Sequence, residues 1–69
     1  MQFKVGDNVE TQHGYGEIVN IDLPNSRAYR YCVLMKRWKK NINKALKNLN
    51  DEAGFLVYFE KEIINNPAG

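Results

Sequence analysis

Asp7-Asn8-Val9-Glu10-Thr11-Gln12-His13-Gly14-Tyr15-Gly16-Glu17-Ile18-Val19-Asn20-Ile21-Asp22 is the stretch on which the fold turns. Residues 7 to 12 alternate loosely between polar and apolar side chains, as a half-buried strand does. Gly14 and Gly16 reach backbone angles closed to other residues, so His13-Gly14-Tyr15-Gly16 reads as a tight connection with Tyr15 at its tip. Residues 17 to 22 are rich in β-branched side chains with apolar residues on both faces, the pattern of a long bent strand.

Downstream, Leu23-Pro24-Asn25-Ser26 carries turn chemistry and predicts a hairpin into a third strand over Tyr29 to Arg37. There Tyr29, Tyr31, Val33 and Met35 share one face, and Arg30, Cys32, Leu34 and Lys36 the other. From Trp38 the period changes. Ile42, Ala45, Leu46 and Leu49 fall at helical spacing, which predicts a short helix at roughly 41 to 49 within an insertion spanning about 39–50, with Asn41 as N-cap and Asn50 as a left-handed stop. Asp51 to Gly54 reads as a turn, Phe55 to Phe59 as a fourth strand, Glu60 to Glu62 as one tight turn, and Ile63-Ile64 as a short closing strand. Five short strands joined by sharp turns favour a mainly β, partly open five-stranded barrel with a short α-helix between strands 3 and 4, because closing a sheet hides its edges. One domain over residues 1–66 and a disordered tail at 67–69 complete the expected organisation.

The chain has 69 residues, of which 43% are apolar and 26% charged, with a formal charge of +2. A domain of this size buries only about 60% of its unfolded surface, enough for one core and not for a deep catalytic cleft. A single cysteine, Cys32, rules out an intramolecular disulfide, and residues 1 to 15 lack the basic start and apolar run of an export signal. A cytoplasmic location is expected. The near-neutral total conceals a strong asymmetry: residues 1–26 carry a net −3, residues 27–50 a net +8 with no acid, and residues 51–69 a net −3.

Phe3-Lys4-Val5-Gly6-Asp7-Asn8-Val9 followed by Gly14-Tyr15-Gly16-Glu17-Ile18-Val19 resembles the opening of bacterial SH3-like or Tudor-like barrels, in which a "VGD.V" segment precedes a "G.G.V" hairpin. The CarD-type RNA polymerase interaction domain and the carboxy-terminal domain of UvrD-type helicases are examples. Tyr58-Phe59-Glu60-Lys61-Glu62-Ile63 is similar to the last strand and turn of such barrels. The likeness implies that Val5 and Val9 plug the core, and that a protein partner, such as RNA polymerase or other nucleic-acid machinery, docks on the domain. Residues 38 to 54 depart from it, since those families have a short hairpin where this chain inserts a helix. A chain of this length starting at Met1 is also similar to small phage or prophage proteins.

Catalytic chemistry finds little support, and no enzyme, cofactor, metal or small-molecule substrate is expected. His13 has no second ligand at metal spacing, Cys32 reads as a small buried hydrophobe, and Glu60 and Glu62 read as solvated. Gly14-Tyr15-Gly16 lacks the following helix and lysine of a phosphate loop. No apolar run reaches the roughly 20 residues of a membrane helix. The candidate binding residues are Tyr15, Arg27, Tyr29, Arg30, Lys36, Arg37, Trp38, Lys39, Lys40, Lys44 and Lys47. They support a non-enzymatic module that docks on a protein through Tyr15, the exposed third strand and the basic helix region, or by strand addition at an open edge. Alternatively, the cations neutralise phosphates of single-stranded DNA or RNA while Trp38 or Tyr29 stacks on bases. A blander reading pairs the cations with Glu10, Glu17 and Glu60 on neighbouring strands and uses Trp38 to pin the helix, and a structural role in an assembly stays open.

Overall fold

A computed structural model describes residues 3–22 and 29–65. Five strands, β1 (Asn8–Thr11), β2 (Gly14–Asp22), β3 (Arg30–Trp38), β4 (Leu56–Phe59) and β5 (Ile63–Asn65), form one antiparallel sheet in the order β4-β3-β2-β1-β5. The sheet curls into a half-barrel, and among the described residues one α-helix, α1 (Lys44–Ala53), lies between β3 and β4 in the chain. A single 3₁₀ turn, Glu60–Glu62, carries the chain from β4 at one edge to β5 at the other. The mainly β, partly open barrel with an inserted helix is therefore the observed architecture. The Leu23–Ser26 turn, Arg27 and the 67–69 tail lie outside the described residues.

Val9, Ile18, Tyr31, Val33, Met35, Leu56, Tyr58 and Ile63 form the core, with Phe3, Ile21, Tyr29, Trp38 and Leu46 packed around it. Alternation along β3 divides its faces as expected, with Tyr31, Val33 and Met35 inward. Of the two valines expected to plug the core, Val9 does and Val5 does not, being 60% exposed. The reason is local geometry: Gly6 takes φ 97°, and the Lys4 and Asp7 backbones and the Asp7 carboxylate close a tight turn that lifts Val5 outward. Phe3 takes its place, edge-on against Tyr31 with centroids 5.5 Å apart.

The glycines of Gly14-Tyr15-Gly16 act inside a strand rather than at the turn. The β1–β2 connection is Gln12-His13, and Tyr15 is the second residue of β2, paired with Glu10 and Arg37. Gly14 and Gly16 are both buried against the neighbouring strand β3, where a Cβ on Gly16 would meet the Leu34 carbonyl oxygen and lie 2.8 Å from Val33 Cγ1. Bare backbone at both positions lets β2 and β3 approach, while Tyr15 between them faces out.

The helix begins and ends later than the hydrophobic stripe predicts, at Lys44–Ala53 rather than roughly 41 to 49. Asn43 is the N-cap, its Oδ1 accepting from the Ala45 N–H at 2.7 Å, and Gly54 at φ 86° is the left-handed stop. Asn41, at φ 62°, lies before the helix. The docked face is also different: Ala45 and Leu49 are exposed, whereas Leu46 and Asn50 face the sheet. Asn50 is only 4% exposed, and its amide brackets the Met35 backbone, Oδ1 accepting from Met35 N–H at 2.8 Å and Nδ2 donating to Met35 C=O at 3.1 Å. Strand β4 stops pairing with β3 at Val33, short of Met35, so the side chain supplies the missing partner.

Cys32 and Tyr58 couple the fold to alkaline pH. Burial, reinforced by the nearby Asp22 charge and opposed by Arg30, pushes the Cys32 thiol up from 9.0. Burial likewise pushes the Tyr58 phenol up from 10.0, against the effect of a hydrogen bond from Thr11 and with that of the Glu62 charge. Both groups are neutral when protonated, so the folded state holds these protons more firmly than the unfolded chain. Their contribution is intact below the ordinary values and is lost as pH rises through the raised ones. Circular dichroism during an alkaline titration should show unfolding begin above about pH 9, and at higher pH for Cys32→Ala. An unchanged midpoint in that variant would refute the coupling.

Candidate functional site

Strands β2 and β3 and the residue just beyond β3 present four of the candidate residues, Tyr15, Lys36, Arg37 and Lys39, beside β1 on the outer face of the half-barrel. The register shifts between Tyr15/Gly16, pairing Tyr15 with Arg37 and Gly16 with Met35, so that Lys36 is the extra residue of a β-bulge. Lys36 and Arg37 are consequently both exposed, where strict alternation would have sent one of them inward. Arg37 Cζ lies 5.1 Å from the centroid of the half-buried Tyr15 ring, and Lys39 Nζ lies 5.7 Å from it.

Acids from the neighbouring strands answer part of this charge. Lys36 Nζ is 2.8 Å from Glu17 Oε1, and Lys39 Nζ is 2.7 Å from Glu10 Oε2, the more sheltered of the two pairs. Lys39 is further fixed by its backbone N–H, which donates to the His13 carbonyl at 2.9 Å. Arg37 takes part in no ion pair among the described residues. Beside it, Asn8, Val9, Tyr15, Gly16, Lys36 and Arg37 line a shallow, mostly apolar depression of about 160 Å³.

The remaining candidates are not brought to this place. Arg30 sits at the other end of β3, roughly 20 Å away along the strand, where it pairs with Asp22 at 2.8 Å. Tyr29 and Trp38, the rings expected to stack on bases, both pack against the core, with Tyr29 6.0 Å from the Tyr31 ring. Lys40 and Lys44 are exposed and Lys47 is half-buried, and no ion pair holds any of them among the described residues. Glu10 and Glu17 stand opposite the cations, as the pairing reading expected of them.

Other titratable groups have structural employment. His13 is half-buried, its Nδ1 2.8 Å from the Tyr58 hydroxyl, which also points at Met35 Sδ at 4.0 Å. Glu62 Oε1 accepts from the Phe59 N–H at 2.8 Å and so fixes the 3₁₀ turn. Cys32 is a buried free thiol. Among the described residues no group of His, Cys, Asp and Glu is arranged to hold a metal ion, and no helix is long and apolar enough to cross a membrane.

Sequence reading passed over Asn8, Val9 and Gly16 as lining residues. The signal available was the register itself: pairing Val9 with Gly16 sets a side chain against a bare backbone position beside Tyr15. Comparison of the chain with protein-family models, with curated proteins and with solved structures returns no match.

Proposed function

We propose that this chain is a non-enzymatic module that docks on a protein partner through the outer face of β1, β2 and β3 around Tyr15. The observation that carries the reading is the apolar depression walled by Tyr15 and Arg37. Tyr and Arg are the residue types that dominate binding energy at protein interfaces, and they do so around small apolar recesses rather than along charged tracks. Barrels of the kind the opening residues resemble dock on RNA polymerase, which makes the transcription machinery the first partner to try.

In an affinity capture from the source organism, partner retention should fall about 30-fold in Tyr15→Ala, the loss expected of an interface anchor of ~2 kcal/mol. Retention should withstand nuclease treatment. A partner held equally by wild type and Tyr15→Ala would place the interface elsewhere.

Nucleic-acid binding is the second reading, favoured by Lys40, Lys44 and Lys47, which have no carboxylate partner among the described residues. It predicts that log affinity for mixed single-stranded oligonucleotides falls by about 0.7 per neutralised phosphate per log unit of salt. Flat or absent binding would remove it. The protein reading is preferred because Lys36, Lys39 and Arg30 already hold carboxylates, and because Tyr29 and Trp38 are committed to the core.

A further inference from the structure

We propose that the partner segment recognised at this face is acidic and apolar together: a carboxylate taken by the Arg37 guanidinium, and an adjacent apolar side chain seated in the depression beside Tyr15. The inference rests on the protein-docking reading above and specifies its ligand. Three cations surround the depression and the Tyr15 ring, and two of them are spoken for, Lys36 by Glu17 and Lys39 by Glu10. Arg37 is the one left without a carboxylate among the described residues.

Its placement suits it to acquire one. With the guanidinium 5.1 Å from the Tyr15 centroid, the aromatic ring restricts the side chain without consuming its N–H groups. A planar fork of donors held in this way donates to both oxygens of a carboxylate at once, and less side-chain entropy remains to be lost on binding. The two nearby acids do not repel the newcomer outright, because their lysines neutralise them: Glu10 and Glu17 against Lys36, Arg37 and Lys39 leave this face at a net +1. That balance fits a ligand with one or two carboxylates better than a polyanion, which gains affinity by neutralising many phosphates. The Tyr15 ring, moreover, already has two cations within 6 Å, where a stacking base would need an open face. The apolar half of the ligand follows from the mostly apolar lining beside the same guanidinium.

Selection of a random-peptide library on the intact chain tests the proposal. Enriched sequences should place Asp or Glu next to Leu, Ile, Val or Phe. Arg37→Glu should weaken the best of them by about tenfold or more and, reselected, should favour Lys or Arg at the acidic position. Arg37→Lys keeps the charge but not the fork and should lose affinity several-fold. Arg37 is exposed, so matching thermal melts will show that these variants stay folded. Enriched peptides without an acid, or affinities indifferent to Arg37→Glu, would overturn the inference; if Tyr15→Ala still abolished them, the docking reading would stand. A library that yields no binders overturns the inference, and steep salt-dependent oligonucleotide binding in its place overturns the docking reading too.

Discussion

Asn50→Leu should lower the unfolding free energy by about 3 kcal/mol, a large share of what a domain of this size possesses. Leucine keeps the branched four-heavy-atom skeleton of asparagine, although its methyl groups are bulkier, and strengthens the helical apolar stripe, so a sequence-based argument would count the change as neutral or favourable. The structure says otherwise, because the amide is the partner of two backbone groups. Without it, the Met35 N–H and C=O face the helix with no donor or acceptor, since β4 has already left β3 after Val33. Each buried orphan costs about 1 to 3 kcal/mol, more than a buried leucine methyl group returns. Asn50→Asp separates the two bonds. Its carboxylate can still accept from Met35 N–H but confronts the Met35 carbonyl, and protonation restores a donor toward that oxygen. The folded state then favours the protonated acid, so this variant should gain stability as pH falls. Urea titrations of both variants at neutral and mildly acidic pH supply the check. A wild-type midpoint for Asn50→Leu would mean that β3 and α1 associate through Leu46 alone.

That contact also shows where the sequence was legible and where it was not. The β-branched run of β2 and the alternation of β3 declare themselves because one property, apolarity at a period of two, decides which face is buried. The existence of the helix followed from the change of period after Trp38. Its boundaries did not, because the residue that anchors it is polar: a stripe drawn through Ile42, Ala45, Leu46 and Leu49 passes by Asn50, and Leu49 is left 49% exposed. An amide reads as surface until its backbone partner is known. Val5 and Phe3 differ for a similar reason, since apolarity alone does not reveal that the turn at Gly6 lifts one and lowers the other.

For the site, residue types were readable and their neighbours were not. Tyr15 and the cations of β3 are visible as letters, yet the pairing of Lys36 with Glu17 and Lys39 with Glu10 depends on a register that a one-residue bulge alters. The bulge also puts Lys36 and Arg37 on one face, and so distinguishes the cation that is paired from the one that is not. The eight cations of residues 27 to 50 look like one patch in the linear chain. In space Arg30 is at the far end of β3 and the helix carries Lys44 and Lys47. Linear charge density predicts a binding surface only when consecutive residues remain neighbours, and an extended strand separates them by about 3.3 Å each.

Gly16→Ala should be among the most damaging single-methyl changes at the described glycines, leaving the chain largely unfolded or costing about 3 kcal/mol or more where structure survives. The added Cβ would press on the Leu34 carbonyl and carbon, the latter at 3.0 Å, as well as on Val33 Cγ1 at 2.8 Å. Two of these atoms belong to the β3 backbone, which cannot rotate away as a flexible side chain would, and Val33 is fully buried. Relief therefore requires β2 and β3 to separate, which breaks the pairing at the point where the bulge begins. Gly14→Ala meets a closer obstacle and should cost at least as much, because the Arg37 carbonyl group and Trp38 Cα, at 2.9 Å, are all backbone atoms in its path. Gly6→Ala supplies the contrast: nothing lies within 4 Å of its Cβ, so only the left-handed φ of 97° is penalised, at about 1 kcal/mol. If the three variants melted alike in urea, close approach of the backbones would not be what these glycines provide. If Gly16→Ala instead folds with a widened sheet, Tyr15 shifts away from Arg37 and partner binding falls in step with the loss of stability, because the same bare backbone position lets β2 and β3 pair closely and sets the aromatic ring beside its cation.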